Sequence, residues 1–391
     1  MKATTRRALI DLEALEQAAE CLRTLVARPD VEFALLVESG ATGLAFVPGP
    51  GGMADLKLAH ELAGVPLASQ WIDPLVTVFQ SLSWPVAWQC LMSNTWFKFF
   101  WDGPQTFELE QFGVPNVFRL PMAALDRAYN TDPLDPNASE IPVSFVGGQN
   151  TSFFAPQRQV PANALFAGTL AQAVRADLTD VSFFDIYYSL YGIAEPPHPA
   201  EPIESRCKKA FDYFNHKLFY NAFLCVKQRD RFVIFLSRKL GESFALIGQR
   251  WDSAYGLTTR PQIPTVDGYL EHFRKSAINI NLVNGNSDSG LNMRHFEITA
   301  AGGFMLCYRQ AEIEQCFEVG KECETFSNEQ ELLEKIRHYL AHPDERIAIA
   351  LAGQQRTLNE HLYSHRLATI KETVSATRHA TPAPVAAEQT G

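Results

Sequence analysis

The chain has 391 residues, 46% hydrophobic and 20% charged; that is more length than one core usually serves, so two domains are expected and wholesale disorder is excluded. Its formal charge of -10, from 34 basic and 44 acidic residues, argues against a broad nucleic-acid surface but leaves room for a local basic cleft that holds a nucleotide diphosphate. Seven cysteines, Cys21, Cys90, Cys207, Cys225, Cys307, Cys316 and Cys323, form no CxxC pair and are odd in number, which fits a reducing compartment better than a disulfide scaffold.

The first twenty residues turn acidic before any long apolar run, so they read as neither a secretory leader nor a membrane span. The expected location is the cytoplasm, with a peripheral position at the inner membrane face left open. Residues 12–26 carry Leu, Ala, Cys and Val at helical spacing, and 31–37 (VEFALLV) reads as a strand. The glycines and prolines of 40–52 predict a turn-rich connection, and 55–62 a short helix. A strand at 66–71 ends at Ile72-Asp73-Pro74, then come a helical stretch, a strand at 96–100, the segment 104–112 and a short strand at 116–120. This alternation favours a mostly parallel sheet covered by helices.

Asp, Asn and Pro crowd residues 122–142, which divides the chain into domains at 1–135 and 136–370. PVSFVGG (142–148) opens the second domain as a strand entering a glycine turn. Residues 155–240 read as a helical insertion within it, rich in aromatics that suit a buried helical core or a grip on an acceptor. A strand at 243–247, a loop from Trp251 to Val266, a helix at 269–275 and a strand at 277–282 follow. Beyond residue 307, 329–340 is an amphipathic helix, 343–367 is helical again, and 371–391 is expected to be a flexible tail.

The run SDSGLNMRHFEITAAGGFMLC (287–307) reads as a polar loop, a helix stopped at Gly302-Gly303, and a buried strand. Glu297 is its oddity, a carboxylate in the early turns between Phe296 and Ile298, three residues after Arg294. Two readings stay open. The pair is an ordinary helical ion pair worth about 0.2–0.5 kcal/mol, or a cation, a helix start and a carboxylate hold the phosphate and sugar hydroxyls of a nucleotide sugar. No Asp-x-Asp motif or His/Cys cluster points to a metal; Asp132 and Asp135 read as turn residues, and His361 and His365 lack a third ligand nearby.

In order and spacing, PVSFVGG, FALIGQRW, AININL, GLNMRHFEITAAGGFMLC, EIEQCFEVGKECETF, EQELLEKIRHYLAHPDER and NEHLYSHRLATI, within residues 143–370, resemble the glycosyltransferase-like proteins grouped with the spore-maturation protein CgeB. The resemblance implies an α/β GT-B-like fold, two Rossmann-like domains facing a central cleft. It implies transfer of a sugar from a UDP, GDP or TDP type donor to a saccharide, lipid or protein acceptor, with no metal and no other cofactor. Glu297 would then bind the donor ribose, Ser289, Gly290, Leu291 and Asn292 would lie against the diphosphate, and Arg294 would come next in line. Gly147 and Gly148 would let the backbone approach the donor or acceptor, and Gly248, Arg250 and Trp251 would border the nucleobase.

The basic residue opposite the diphosphate is open among Arg231, Lys239, Arg250 and Arg294. The amino-terminal half is less similar to the family; there Asp73, at the carboxyl end of a strand, is the preferred catalytic base, with Asp102 beside it as a candidate. Both also read as turn residues before proline or glycine. A non-catalytic nucleotide-sugar or glycan-binding protein of the same fold is the alternative, and a homo-oligomer is left open.

Overall fold

The computed structural model describes residues 12–27, 34–38, 46–49, 52–72, 75, 84–134, 139–149, 182–190, 194–219, 226–284 and 287–380. The first domain has a parallel four-stranded sheet in the order β1-β4-β5-β6, from β1 (Ala34–Glu38), β4 (Leu67–Trp71), β5 (Trp96–Phe100) and β6 (Val117–Arg119). Every residue of β4 and β5 is buried, Ser69, Gln70 and Lys98 included, as in strands covered on both faces. Helices α1 (Leu12–Val26), α2 (Ala59–Ala63), α3 (Trp84–Leu91) and α4 (Gly103–Gln111) complete this part.

One stretch departs from expectation. The segment expected to be a loop followed by a helix is an antiparallel hairpin of β2 (Phe46–Gly49) and β3 (Gly52–Leu58), and the helix α2 begins only at Ala59. Gly49 and Gly52, which suggested a loop, pair with each other in that hairpin, and the register shifts between Pro48 and Gly49.

The second domain is a parallel five-stranded sheet in the order β11-β10-β9-β7-β8. Its strands are β7 (Ile141–Val146), β8 (Phe244–Ile247), β9 (Ser276–Asn281), β10 (Met305–Tyr308) and β11 (Glu324–Phe326). The helices of this half of the chain are α5 (Ile203–Phe219), α6 (Val226–Leu240), α7 (Trp251–Tyr255), α8 (Val266–Lys275), α9 (Met293–Ala300), α10 (Glu329–Ala341), α11 (Pro343–Glu360) and α12 (Tyr363–Ala380). The chain is thus an α/β protein of two Rossmann-like parallel sheets, in keeping with a GT-B-like architecture.

The described part of the insertion corrects its assignment to the second domain. Phe183, Phe184, Tyr187 and Tyr188 of a π-helical turn and its approach, with Tyr213 and Phe214 of α5, share one core with Trp84 and Trp88 of α3 and Phe112 beyond α4. Aromatic rings on both sides exclude water best against each other, so this excursion leaves the second sheet and covers the first before α6 returns. On the opposite face of the first sheet, Ile370 and Val374 of α12 pack against Ala68, Phe97 and Phe99. The helix runs through Ala380, so the expected flexible tail is helical over residues 371–380; residues 381–391 lie outside the described residues. Among the described residues no helix is long and apolar enough to cross a membrane.

Candidate active site

The carboxyl ends of β7 and β8 bring glycine turns together. Gly147 N–H donates to the Ile247 carbonyl at 2.8 Å and Gln149 N–H to that of Gln249 at 2.9 Å. A Cβ on Gly248 would fall 2.2 Å from the Gly147 carbonyl oxygen, so the two turns can approach this closely only around a glycine. Trp251, fully buried, supports them from below and donates its indole N–H to the Gly147 carbonyl at 2.7 Å.

Arg229 of α6 reaches over this floor. Its guanidinium donates to the Gly148 carbonyl and, at 3.0 Å, to Asn284 Oδ1, and it lies 5.5 and 5.6 Å from the ring centroids of Phe145 and Trp251. It therefore bridges the ends of β7 and β9, adjacent strands whose onward connections leave in opposite directions, where open α/β sheets form their ligand crevice. Burial lowers its pKa to about 10, opposed by Asp230, and it remains a cation at neutral pH. Asp230 is held in turn by Gln149 Nε2 at 3.1 Å and the Tyr255 hydroxyl at 2.6 Å.

A second cluster joins the domains. Asp102 Oδ1 accepts the N–H groups of Asp288, Ser289 and Gly290 at 3.1, 3.0 and 2.9 Å and the Ser287 hydroxyl at 2.8 Å. Glu312, from the second domain, accepts the Gly103 N–H at 2.7 Å, the Ser289 hydroxyl at 2.6 Å, and the Arg119 guanidinium at 2.7 Å through Nε. Burial, and next the charge of Asp102, raise the Glu312 pKa against Arg119.

Behind this cluster Lys217 of α5 pairs with Glu108 of α4 and, at 3.0 Å, with Asp288, while Tyr213 donates to Glu108 at 2.7 Å. One buried cation thus serves two buried carboxyl groups. Burial opposes the Lys217 charge, but Asp288, Glu108 and Asp102 raise its pKa overall. Burial pushes Glu108 up to about 8, opposed by Lys217 and aided by Asp288, so Glu108 largely keeps its proton at neutral pH.

The third group lies on α9. Arg294 donates to Glu297 Oε2 at 2.6 Å, and its guanidinium stacks on Tyr269 at 4.4 Å and on Phe273 at 5.4 Å from the ring centroids. Glu297 is mostly buried and also bears on two tyrosines: the pKa of Tyr129 is raised to about 12, chiefly by burial with Arg127 opposing and Glu297 adding, and that of Tyr363 is raised by burial and then by Glu297.

The expected residues therefore fall into different surroundings. Gly147, Gly148, Gly248 and Trp251 gather beneath Arg229, whereas Arg250 is exposed. Ser289 and Gly290 sit in the interdomain cluster, Leu291 is buried in the core behind them, and Asn292 Oδ1 accepts from Asn281 Nδ2 at 3.2 Å. The partners of Arg294 are Glu297 and the aromatics of α8 rather than the loop at 287–290. Asp102 does not stand free as a base in this conformation, because four donors occupy its Oδ1. Asp73 lies outside the described residues.

Among the cations named from sequence, Arg231 is exposed and paired with Glu329, and Lys239 is exposed. Arg229 was missed, although it falls three, four and seven residues before Phe232, Val233 and Leu236, on the apolar stripe of α6 where a cation has to be explained. His361 is buried with Nε2 against the Cys316 carbonyl at 2.9 Å and Nδ1 against Arg366 at 3.0 Å. Among the described residues no cluster of His, Cys, Asp and Glu has metal-binding geometry.

Residues 228–372 match a family model described as glycosyl transferase-like, so the second half of the chain carries a glycosyltransferase-like domain. No curated protein matches the chain. Among solved structures it is similar to the sucrose-phosphate synthase of Thermosynechococcus elongatus, with 10% identity over 96% of this chain and 80% of that one and a TM-score of 0.43. A glycosyltransferase from Rickettsia africae gives 10% identity over 97% and 85% with a TM-score of 0.42. HepE of Anabaena in complex with UDP-glucose gives 11% over 83% and 74% with a TM-score of 0.38.

Proposed function

We propose that the chain is a glycosyltransferase, of the CgeB-like kind, that moves a sugar from a UDP, GDP or TDP type donor to a saccharide, lipid or protein acceptor without a metal. The observation that carries this reading is Arg229, a buried cation over a glycine turn at the strand-order switch point, inside the stretch matched by the glycosyltransferase-like model. As the bond between sugar and diphosphate breaks, negative charge grows on the departing phosphate oxygen. A preorganised guanidinium with backbone N–H groups beside it would stabilise that charge more than it stabilises the intact donor.

In this reading Ser289, Gly290, Leu291 and Asn292 form the backbone edge of the diphosphate site, and Gly248 to Trp251 form the border of the base. Glu297 accepts the ribose hydroxyls. Arg294, packed on Tyr269, is a positioning residue that fixes the Glu297 carboxylate, and Asp73 remains the candidate acceptor of the proton released by the nucleophile. Cytoplasmic placement belongs to the same proposal.

The test is donor-dependent product formation and nucleotide release, measured with donor affinity in the wild type and in Glu297→Ala. A hydrogen bond to a charged group is worth about 1.5–3 kcal/mol, so donor affinity should fall by roughly 10-fold or more, and transfer with it. Transfer by the variant at wild-type rate and unchanged donor affinity would remove Glu297 from the site. The alternative, a non-catalytic nucleotide-sugar or glycan-binding protein, is favoured by the occupation of the loop N–H groups by Asp102. Donor binding without turnover over a broad acceptor panel would select it.

A further inference from the structure

We propose that Asp102 is an internal stand-in for an anionic ligand: its carboxylate latches the domains together by filling the N–H cradle of residues 288–290, and a diphosphate opens the interface by displacing it. The proposal deepens the donor-site reading above and rests on it for the identity of the natural ligand.

Three successive backbone N–H groups and one hydroxyl converge on a single oxygen of Asp102. Such convergence is how backbone cradles hold phosphate, and a carboxylate oxygen satisfies the same donors. The carboxylate has left its own helix to do so. Asp102 is the N-cap of α4, yet its side chain makes no capping bond there, although the unpaired N–H groups of that first turn are the usual partners of an N-cap Asp. From the opposite domain, Glu312 Oε1 accepts the N–H of Gly103, the first residue of that helix. Each domain thus lends the other a carboxylate.

The contact leaves no room for a ligand while it is closed. A Cβ on Gly290 would lie 2.7 Å from the Trp101 carbonyl oxygen and 3.0 Å from the Asp102 Cα, and Asp102, Ser287, Asp288 and Ser289 are each no more than 5% exposed. An anion that takes the cradle must part Trp101-Asp102-Gly103 from residues 287–290, so occupancy of the cradle and domain opening are one event. The ligand then has to pay for loss of the closed state, which lowers its apparent affinity by the fraction of time the latch is open.

The test uses the full chain, inorganic pyrophosphate and UDP as calorimetric probes, and small-angle scattering as the readout of opening. Asp102→Asn, which retains shape but loses the charge, should bind pyrophosphate at least 10-fold tighter than the wild type. Saturating pyrophosphate should raise the radius of gyration of the wild type. Because Asp102→Asn could fail to fold, Glu312→Gln loosens the same interface from the other side and should tighten pyrophosphate binding about 3-fold. Unchanged or weaker binding by either variant in its folded state, or a wild-type radius of gyration unmoved by bound pyrophosphate, overturns the latch. Tightened pyrophosphate binding with no binding of UDP keeps the latch and rejects the nucleotide reading; UDP binding insensitive to Asp102→Asn keeps that reading and rejects the latch.

Discussion

Glu108→Gln should stabilise the protein at alkaline pH, the reverse of what loss of a buried ion-pair partner usually does. Glu108 is fully buried between Lys217 and Tyr213, and Lys217 also serves Asp288. With one cation for two carboxyl groups, an ionised Glu108 would leave an uncompensated charge in a dry site. Its pKa accordingly rises from 4.5 to about 8, burial being the main cause. The folded state then holds a proton that the unfolded chain has released between those values. The stability from Glu108 is full below pH 4.5 and is lost as pH rises through about 8, at about 1.4 kcal/mol per pH unit and roughly 5 kcal/mol across the window.

Glutamine imitates the protonated acid and cannot lose the proton. Urea unfolding midpoints of wild type and Glu108→Gln, measured every half unit from pH 5 to 9, should nearly coincide at pH 5, separate steadily in favour of the variant up to about pH 8, and run parallel above it. Titrations of groups distant from this cluster are common to both proteins and cancel in the difference. A wild type more stable than Glu108→Gln at pH 8.5 would mean that an ionised Glu108 is a net gain beside Lys217, and the charge accounting for this cluster would be wrong.

Arg229→Met should weaken UDP binding by about 10- to 100-fold, the value of one or two charge-assisted hydrogen bonds, and leave uridine binding nearly unchanged; equal losses for both ligands, measured by calorimetry, would put Arg229 away from the phosphates. Gly248→Ala should cost about 3 kcal/mol or more in urea unfolding, because its Cβ would meet the Gly147 carbonyl at 2.2 Å and both partners are backbone. Gly256→Ala is the control: its φ of 65° is strained for alanine but nothing lies within 4 Å of the added atom, so it should lose only about 1–2 kcal/mol.

The central strands of both sheets were legible because parallel strands covered on two faces are mostly apolar, as at 96–100 and 277–282, whereas β11, three residues long with Glu324 and Thr325 in it, shows no such run. The hairpin at 46–58 was misread for the opposite reason: its glycines and proline carry turn signals inside strands, and only its partner strand settles what they do. The insertion holds helices at 203–219 and 226–240, but an aromatic stripe says that a face will be buried and not which face will bury it. Arg229 was readable in principle, as a cation in register with Phe232, Val233 and Leu236, whereas Lys217 and Glu108 were not, because they meet across 109 residues with no local pattern to announce them.

Asp102 shows where local reading stops. Trp-Asp-Gly-Pro signals a turn into a helix, and α4 does begin at Gly103 with a proline in its first turn. The local rule also assigns the carboxylate to that helix, where capping is worth about 1 kcal/mol. Three N–H groups and a hydroxyl focused on one buried oxygen offer the charge more than its own helix can, while Glu312 satisfies a different N–H of the same first turn, that of Gly103. The exchange is stable only while both carboxylates stay across the interface. The domain contact and the anion cradle therefore compete for the same donors, and the closed form sits nearest to balance with any ligand that brings a better oxyanion.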